Sequence, residues 1–281
     1  MKKLKKSYTH GFIGIGKMGE AILRGMLRSG LAKPGEILVS RNSADALNRL
    51  QKSLKIDVTT DNREVASRSR HLWLGVKPFQ AAAMLAGIRG LAKPAVPVIS
   101  FITGVSSAFL RDQLKAAHPI IRLMPNTPCL LGAGMTGVFF GPRTPPALKT
   151  RITKILKSLG EVEAVARETE LDAVTGLSGS GPAFVYLLAQ GLAAGGVAAG
   201  LKPIQAAKLA YQTLAGAAQM LRETGRTPEE LIAQVATKGG TTEAGLKVLS
   251  EDQVTKILEG AVAAAVRRAR EIREENDRCT R

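Results

Sequence analysis

The sequence predicts an α/β protein in which a doubly wound sheet is followed by an all-helical domain. Short apolar strand patterns alternate with helical patterns early in the chain, which is typical of a parallel sheet with helices on both faces. After about Glu168 the strand patterns stop. The length of 281 residues favours two domains, and we place them at residues 1–167 and 168–281.

Six segments of the first domain have strand patterns: residues 11–16, 36–40, 71–76, 96–102, 120–125 and 135–140. The first, GFIGIG, ends in glycines and is followed by KMGEAILRGMLRSG. Ala21, Ile22, Met26 and Leu27 have helical spacing there, and Gly30 closes the pattern. The chain therefore begins with a strand, a tight turn and a helix.

The second domain contains helix signals only. Pro203 begins one predicted helix and Gly225 ends it. TPEE at 227–230 is a capping box, and SEDQ at 250–253 predicts a second one at the start of the terminal helix. The tail from residue 270 onward is predicted to be exposed.

Positive charge is concentrated in the first domain. The chain has a net charge of +17, and residues 1–167 hold 27 Lys and Arg against 9 Asp and Glu, whereas residues 168–281 hold 13 and 14. Such a half attracts nucleotides, nucleic acid or anionic lipid, although a basic surface without a dedicated partner stays open. Cys129 and Cys279 have no metal-binding or C-x-x-C spacing, so neither a metal nor a disulfide framework is expected.

One uncharged stretch, from Ala173 to Leu201, is long enough to span a membrane. Its serines, proline, glutamine and many glycines favour a buried helix at a subunit interface instead. The basic start of the chain is not followed by an apolar run of signal-peptide length. We therefore expect a cytoplasmic protein without a membrane segment.

The segment GIGKMG at 14–19 fits the dinucleotide-binding pattern G-x-G-x-x-G between a strand and a helix. Gly14 permits the tight turn, Gly16 lets a pyrophosphate approach the backbone, and Gly19 lets the helix pack on the strand. A glycine-rich turn without a ligand is the alternative. This loop makes the predicted sheet Rossmann-type.

The end of the second strand selects the cofactor. NAD enzymes place an acidic residue there to bind the adenosine ribose, but this chain has Ser40, Arg41 and Asn42. Because a guanidinium suits a 2′-phosphate, we expect NADPH, with NADH possible. A solvated arginine without this role is the alternative.

Four further motifs indicate a protein family: GVKP at 75–78, RLMPNTP at 122–128, DAVTGLSGSGPAF at 172–184 and ATKGGTTEAGLKVL at 236–249. In this order and spacing the chain resembles the pyrroline-5-carboxylate reductases over almost its whole length. The first two motifs occur in other NADP-dependent dehydrogenases, and the last two are more specific. The resemblance implies a helical dimerisation domain, a homodimer or higher oligomer, and reduction of Δ1-pyrroline-5-carboxylate to L-proline with NAD(P)H.

The resemblance also implies the site residues. Those along the cofactor are Gly14, Ile15, Gly16, Lys17, Met18, Ser40, Arg41, Asn62, Val76, Lys77, Pro78 and Asn126. Those at the substrate are Met124, Thr237, Gly239, Gly240, Thr241 and the catalytic Thr242.

The Gly239–Gly240 pair suits a small substrate that carries a carboxylate. Free amides of Gly239, Gly240 and Thr241 at a helix start can bind that carboxylate, and the Thr242 hydroxyl can orient the imine nitrogen. An alternative role for Thr242 is a helix N-cap. The family usually has proline before the glycine pair, where this chain has Lys238, which can attract the carboxylate or loosen the loop.

Two rival functions stay open at this point. A β-hydroxyacid dehydrogenase or a general imine reductase has a similar architecture, and Lys202 or Lys208 would be the candidate base of the former. A nucleic-acid-binding protein would use the positive charge, but the aromatic content of 4% leaves few residues for stacking. His10, His71 and His118 lie outside the motifs and are interpreted as structural.

Overall fold

The computed structural model describes residues 6–278. Within this range the strands are β1 (Tyr8–Ile13), β2 (Ile37–Ser40), β3 (Asp57–Thr59), β4 (Ser69–Leu74), β5 (Val98–Ser100), β6 (Ile120–Pro125), β7 (Gly134–Phe140) and β8 (Gly160–Ala164). The helices are α1 (Lys17–Arg28), α2 (Ala44–Leu54), α3 (Asn62–Arg68), α4 (Ala81–Ile88), α5 (Ser107–Leu114), α6 (Pro146–Lys157), α7 (Glu170–Val174), α8 (Gly181–Ala198), α9 (Pro203–Glu223), α10 (Pro228–Val235), α11 (Thr241–Glu251) and α12 (Val254–Arg278).

The strands form one sheet in the order β3-β2-β1-β4-β5-β6-β7-β8. All neighbours are parallel except β6 and β7, which pair antiparallel. A short 3₁₀ turn, Thr127–Leu131, joins these two strands, and it is too short for the crossover that a parallel pair needs. The strand order reverses between β1 and β4, which creates the crevice where open α/β sheets bind ligands.

Two apolar layers cover the sheet and confirm the predicted architecture. Neighbouring strand residues such as Phe12 and Ile13 belong to different core clusters, because successive side chains point to opposite faces. The first cluster includes apolar residues of α1, α2 and α6, and the second includes those of α3, α4 and α5. Helices therefore lie on both faces, with the glycine loop at one end of β1.

Some elements differ from the sequence prediction. The pattern missed β3 and β8, which form the two edges of the sheet and contain no fully buried residue. The predicted capping box at 250–253 is wrong, because Ser250 and Glu251 complete the last turn of α11 and α12 begins at Val254. The other predicted capping box is present, with Thr227 at the N-cap of α10.

The chain forms two compact units. One contains residues up to Ser180 together with those from Ala265 onward, and the other is Gly181–Ala264. These geometric units divide later in the chain than the predicted domains, whose boundary between residues 167 and 168 stays a prediction. In the second unit α8 and α9 pack together, and Gly196 lies close to Ala206.

The end of α12 is held on the first unit. Arg273 forms an ion pair with Asp172 in α7, with Nε 3.0 Å from Oδ2. Asn276 donates to the carbonyl of Gly104 at 2.9 Å, and the Ser106 hydroxyl donates to Asp277 at 2.6 Å. The prediction of an exposed tail is therefore wrong for these residues, whereas Cys279 lies outside the described range.

A pair of stacked histidines lies in the sheet away from the glycine loop, with His10 buried and His71 half-buried. His10 of β1 lies opposite His71 of β4, with their ring centroids 5.1 Å apart. The Trp73 indole donates to Nδ1 of His10 at 3.2 Å. Burial, followed by the nearby charges of His71 and Arg151, lowers the pKa of His10 to about 3.

This pKa predicts a loss of stability in acid. In the folded protein His10 stays neutral at pH values where an unfolded chain would bind a proton. Its contribution to the free energy of unfolding is therefore fully present above the ordinary pKa of 6.5 and is lost as the pH falls toward 3. At pH 5 the loss is about 2 kcal/mol. Urea unfolding at pH 5 and pH 7 checks this prediction. His10→Gln keeps an acceptor for Trp73 but does not titrate, so its stability is expected to fall less. An equal fall in both proteins would contradict the role of His10.

Candidate active site

The glycine loop has the geometry that its sequence predicts. Gly14 has a φ of 75°, and a β-carbon there would lie 2.5 Å from a methyl group of Val76. Gly16 is the N-cap of α1, and a β-carbon there would have no atom within 4 Å. Because Gly16 leaves the backbone open, a phosphate can approach the start of α1.

A cleft of about 600 Å³ lies beside this loop. The predicted residues that line it are Gly14, Ile15, Gly16, Arg41, Asn62, Val76 and Lys77. Sequence reasoning missed Asn42, Ser43, Gly75, Phe79, Gln80, Ala83 and Met84 as site residues. The missed residues follow strands at the same end of the sheet, so the strand order would have indicated them.

The lining identifies which half of a dinucleotide the cleft fits. It includes residues after β1, β2 and β4 and the first residue of α3, and none after β5 or β6. The segment after β2 binds the adenosine ribose in dinucleotide folds. The cleft therefore fits the adenosine and pyrophosphate part, with Arg41 in place of an acidic residue.

Most of the positive charge lies elsewhere in the first unit. Only Arg41 and Lys77 are cations in the described lining. The layer of α1, α2 and α6 carries nine Lys and Arg against two acidic residues. The layer of α3, α4 and α5 carries three against two. Among the described residues, Arg41 and Lys77 are therefore the cations placed to contact a nucleotide in the cleft.

Several predicted cofactor residues lie behind or beside the lining. Ser40 is buried, and its hydroxyl donates to Oδ1 of Asn62 at 2.7 Å. It therefore orients Asn62, and a contact between Ser40 and the ribose stays a prediction. Lys17 and Met18 form the first turn of α1, and Pro78 begins the 3₁₀ turn Pro78–Gln80.

Asn126 is engaged with its own neighbours at the end of β6. Its Oδ1 accepts from the amide of Met135 at 2.9 Å, and its Nδ2 donates to the carbonyl of Ser178 at 3.2 Å. Ser178 lies in a π-helical turn, Thr175–Gly179, a feature that is frequent at functional sites. Asn126 does not line the described cleft. Its hydrogen bond to Ser178 instead holds the end of β6 against this turn.

The side chain of Met124 lies over the same π-helical turn. A β-carbon on Gly179 would be 2.7 Å from Cε of Met124. Nearby, Cys129 is buried, and burial raises the pKa of its thiol. The sulfur is therefore packed and is a poor nucleophile.

The second unit contains the loop between α10 and α11. Gly239 has a φ of 72°, and a β-carbon on Gly240 would lie 2.5 Å from the Thr237 hydroxyl. The Gly239 amide donates to the carboxylate of Glu243 at 2.7 Å, and the Gly240 amide donates to the Thr237 carbonyl at 2.9 Å. The expectation that both glycine amides are free is therefore wrong. The glycines shape the turn instead.

The amides that remain open belong to the first turn of α11. Ala244 makes the first main-chain bond back along the helix, to Gly240 at 3.3 Å, so Thr241 and Thr242 precede it. Gly240 is the N-cap, without a side-chain cap bond. Thr242 is therefore not the N-cap of α11. Its side chain is half-buried and is not used for capping.

Comparison with known proteins gives one match that contains the glycine loop and another that contains the start of α11. Residues 168–272 match a family model described as pyrroline-5-carboxylate reductase dimerisation. Residues 9–104 match one described as NADP oxidoreductase, coenzyme F420-dependent. A pyrroline-5-carboxylate reductase of Synechocystis is 40% identical over 262 residues, which cover 93% of this chain and 97% of that protein. The chain belongs to the pyrroline-5-carboxylate reductase family.

Solved structures of the family have the same fold. One from Coxiella burnetii is 32% identical with a TM-score of 0.88, covering 95% of this chain and 99% of that one. One from Plasmodium falciparum, solved with NADP bound, is 26% identical with a TM-score of 0.85, covering 95% and 99%. The predicted fold class is confirmed. The predicted enzyme class is also confirmed: the protein is an NAD(P)H-dependent oxidoreductase that reduces pyrroline-5-carboxylate to proline.

The dimerisation match also confirms that the chain acts as a homo-oligomer on a small molecule. One described helical stretch, Glu170–Ala198, is long and apolar enough to cross a membrane and is mostly exposed in the single chain. Exposed apolar side chains on it include Tyr186 and Leu187.

Proposed function

We propose that the start of α11 binds and orients Δ1-pyrroline-5-carboxylate for reduction to L-proline, with NADPH preferred and NADH possible. The observation that carries this proposal is the sharp Gly239–Gly240 turn, which leaves the first amides of an eleven-residue helix open beside Thr242. We place the reaction in the cytoplasm and assign it no membrane or nucleic-acid partner.

The substrate carboxylate is bound by backbone groups. The amides of Thr241 and Thr242 point out of the helix start, where the helix dipole also favours an anion. Thr237 and the two glycines act by shaping the turn. Lys238 is exposed next to them and adds a positive charge where the family usually has proline.

The reduction asks for positioning rather than a strong acid. NADPH supplies the hydride that goes to the imine carbon. The Thr242 hydroxyl orients the imine nitrogen, which is basic enough to be protonated in water. Holding the reacting atoms at contact distance provides most of the acceleration. In the first unit, Asn126 and Met124 fix the end of β6, where the nicotinamide half is expected to lie beyond the adenosine cleft.

The preference for NADPH is tested at Arg41. Its guanidinium is exposed in the cleft, and a charge-assisted bond to the 2′-phosphate contributes about 1.5–3 kcal/mol. Arg41→Asp is therefore expected to raise KM for NADPH about ten-fold or more and to spare NADH. Rates of the purified protein with pyrroline-5-carboxylate and each cofactor check this. Equal effects on both cofactors would refute the role of Arg41, and no wild-type activity with either would refute the reaction.

Assembly is tested by purification without detergent. Because a second subunit is proposed to cover α8, we expect a soluble dimer or larger oligomer in light scattering. Leu187→Asp introduces a charge on this face, where the side chain is 67% exposed in the single chain, and is expected to shift the protein toward monomers. A soluble wild-type monomer, or recovery only from membranes, would contradict the proposal.

The rival functions have weaker support. Lys202 and Lys208 are exposed at the start and on the surface of α9, outside the glycine loop and the cleft. The basic layer of α1, α2 and α6 could attract nucleic acid, so filter binding with and without NADPH separates this rival. Nucleic-acid binding that persists at physiological salt would favour it.

A further inference from the structure

An aromatic side chain of the adenosine cleft has no packing role in the described chain. Phe79 lines the cleft and is 81% exposed. The other aromatic side chains of the first unit that the structure describes are buried or half-buried, including Trp73 in the core and Phe101 behind Gly75. A ligand that covers this ring would remove its apolar surface from water, which is favourable.

The backbone holds Phe79 in a defined place. Pro78 begins the 3₁₀ turn, and the Gln80 side chain accepts from the amide of Lys77 at 3.2 Å. Ala83 and Met84 of α4 continue the same wall. The ring therefore projects from a short fixed turn, which lowers the entropy cost of binding.

The position of this wall indicates the group that the ring would contact. The cleft contains Arg41, Asn42 and Ser43 after β2 and no described residue from the ends of β5 or β6. It therefore fits the adenosine half, whose one flat apolar group is the base. We propose that Phe79 stacks on the adenine of the dinucleotide and is a cofactor-affinity residue of this enzyme. This rests on the proposed use of NADPH.

Calorimetric titration of the purified protein with adenosine 2′,5′-bisphosphate tests the proposal without an activity assay. This probe has the base, the ribose and the 2′-phosphate but no nicotinamide. Phe79→Ala is expected to weaken its binding about ten-fold, within the range measured for base–aromatic stacking. Phe79→Tyr keeps the ring face and is expected to bind within about two-fold of wild type.

The matched control is Leu131→Ala, because Leu131 is 86% exposed in the first unit and does not line the cleft. It is expected to bind the probe as wild type does. If Phe79→Ala also binds like wild type, the stacking role is refuted. If wild type itself does not bind the probe, the use of NADPH fails first, and the inference at Phe79 fails with it.

Discussion

Replacing Thr242 with alanine is expected to lower kcat about 100-fold, the lower end for positioned proton-transfer groups. The change removes the hydroxyl that we propose orients the imine nitrogen, and it keeps the helix amides that we propose bind the carboxylate. Because Gly240 and not Thr242 is the N-cap, stability is expected to change by no more than about 0.5 kcal/mol. Steady-state rates and thermal unfolding measure the two effects separately.

Two variants sharpen this test. Thr242→Ser restores a hydroxyl and is expected to recover most of the rate. Thr241→Ala removes the neighbouring exposed hydroxyl and is expected to leave kcat nearly unchanged. NADPH affinity should be the same in all three variants, because the glycine loop belongs to the other unit. Wild-type turnover in Thr242→Ala would show that the hydroxyl has no part in the reaction.

Replacing Gly16 with valine is expected to weaken NADPH binding roughly 100-fold, from the loss of about two charge-assisted bonds between backbone amides and the pyrophosphate. The fold should tolerate the change. A β-carbon at Gly16 meets no atom within 4 Å, and its φ of −94° with ψ of −167° is extended backbone that valine adopts readily. The side chain would occupy the space of the phosphates instead.

Gly87→Val is the matched control. Gly87 lies in α4, outside the cleft lining, and a β-carbon there also meets no atom within 4 Å. Equilibrium titration with NADPH should distinguish the two variants, and urea unfolding should show both folded. Undiminished NADPH binding by Gly16→Val would mean that the dinucleotide does not pass over this loop.

The glycine loop could be predicted from sequence because its requirements are local. Gly14, Gly16 and Gly19 each answer a constraint within one strand–turn–helix unit. The turn at residues 237–242 was predicted as a site, but its hydrogen bonds were not. The bond from the Gly239 amide to Glu243 depends on a side chain in the first turn of α11, and glycine spacing does not reveal it.

Other features depended on contacts between distant segments. Phe79 directly follows the GVKP motif after β4, but its exposure is known only once α4 and the end of β2 lie around it. The last turn of α12 has the charge pattern of a solvated tail, and its Arg273 finds a partner 101 positions earlier in the chain. Strand β8, GEVEA, is a short edge strand with two glutamates and lacks an apolar strand pattern.

The return of α12 to the first unit has a consequence for how this family can evolve. The helical unit is inserted between Ser180 and Ala265 rather than appended, so its exchange by recombination requires two simultaneous crossovers. Both would fall within continuous helix, where a shift of one residue rotates every later side chain by about 100° around the axis. The two units are therefore expected to be inherited together, and chimaeras are expected to work only when both helical junctions keep their register.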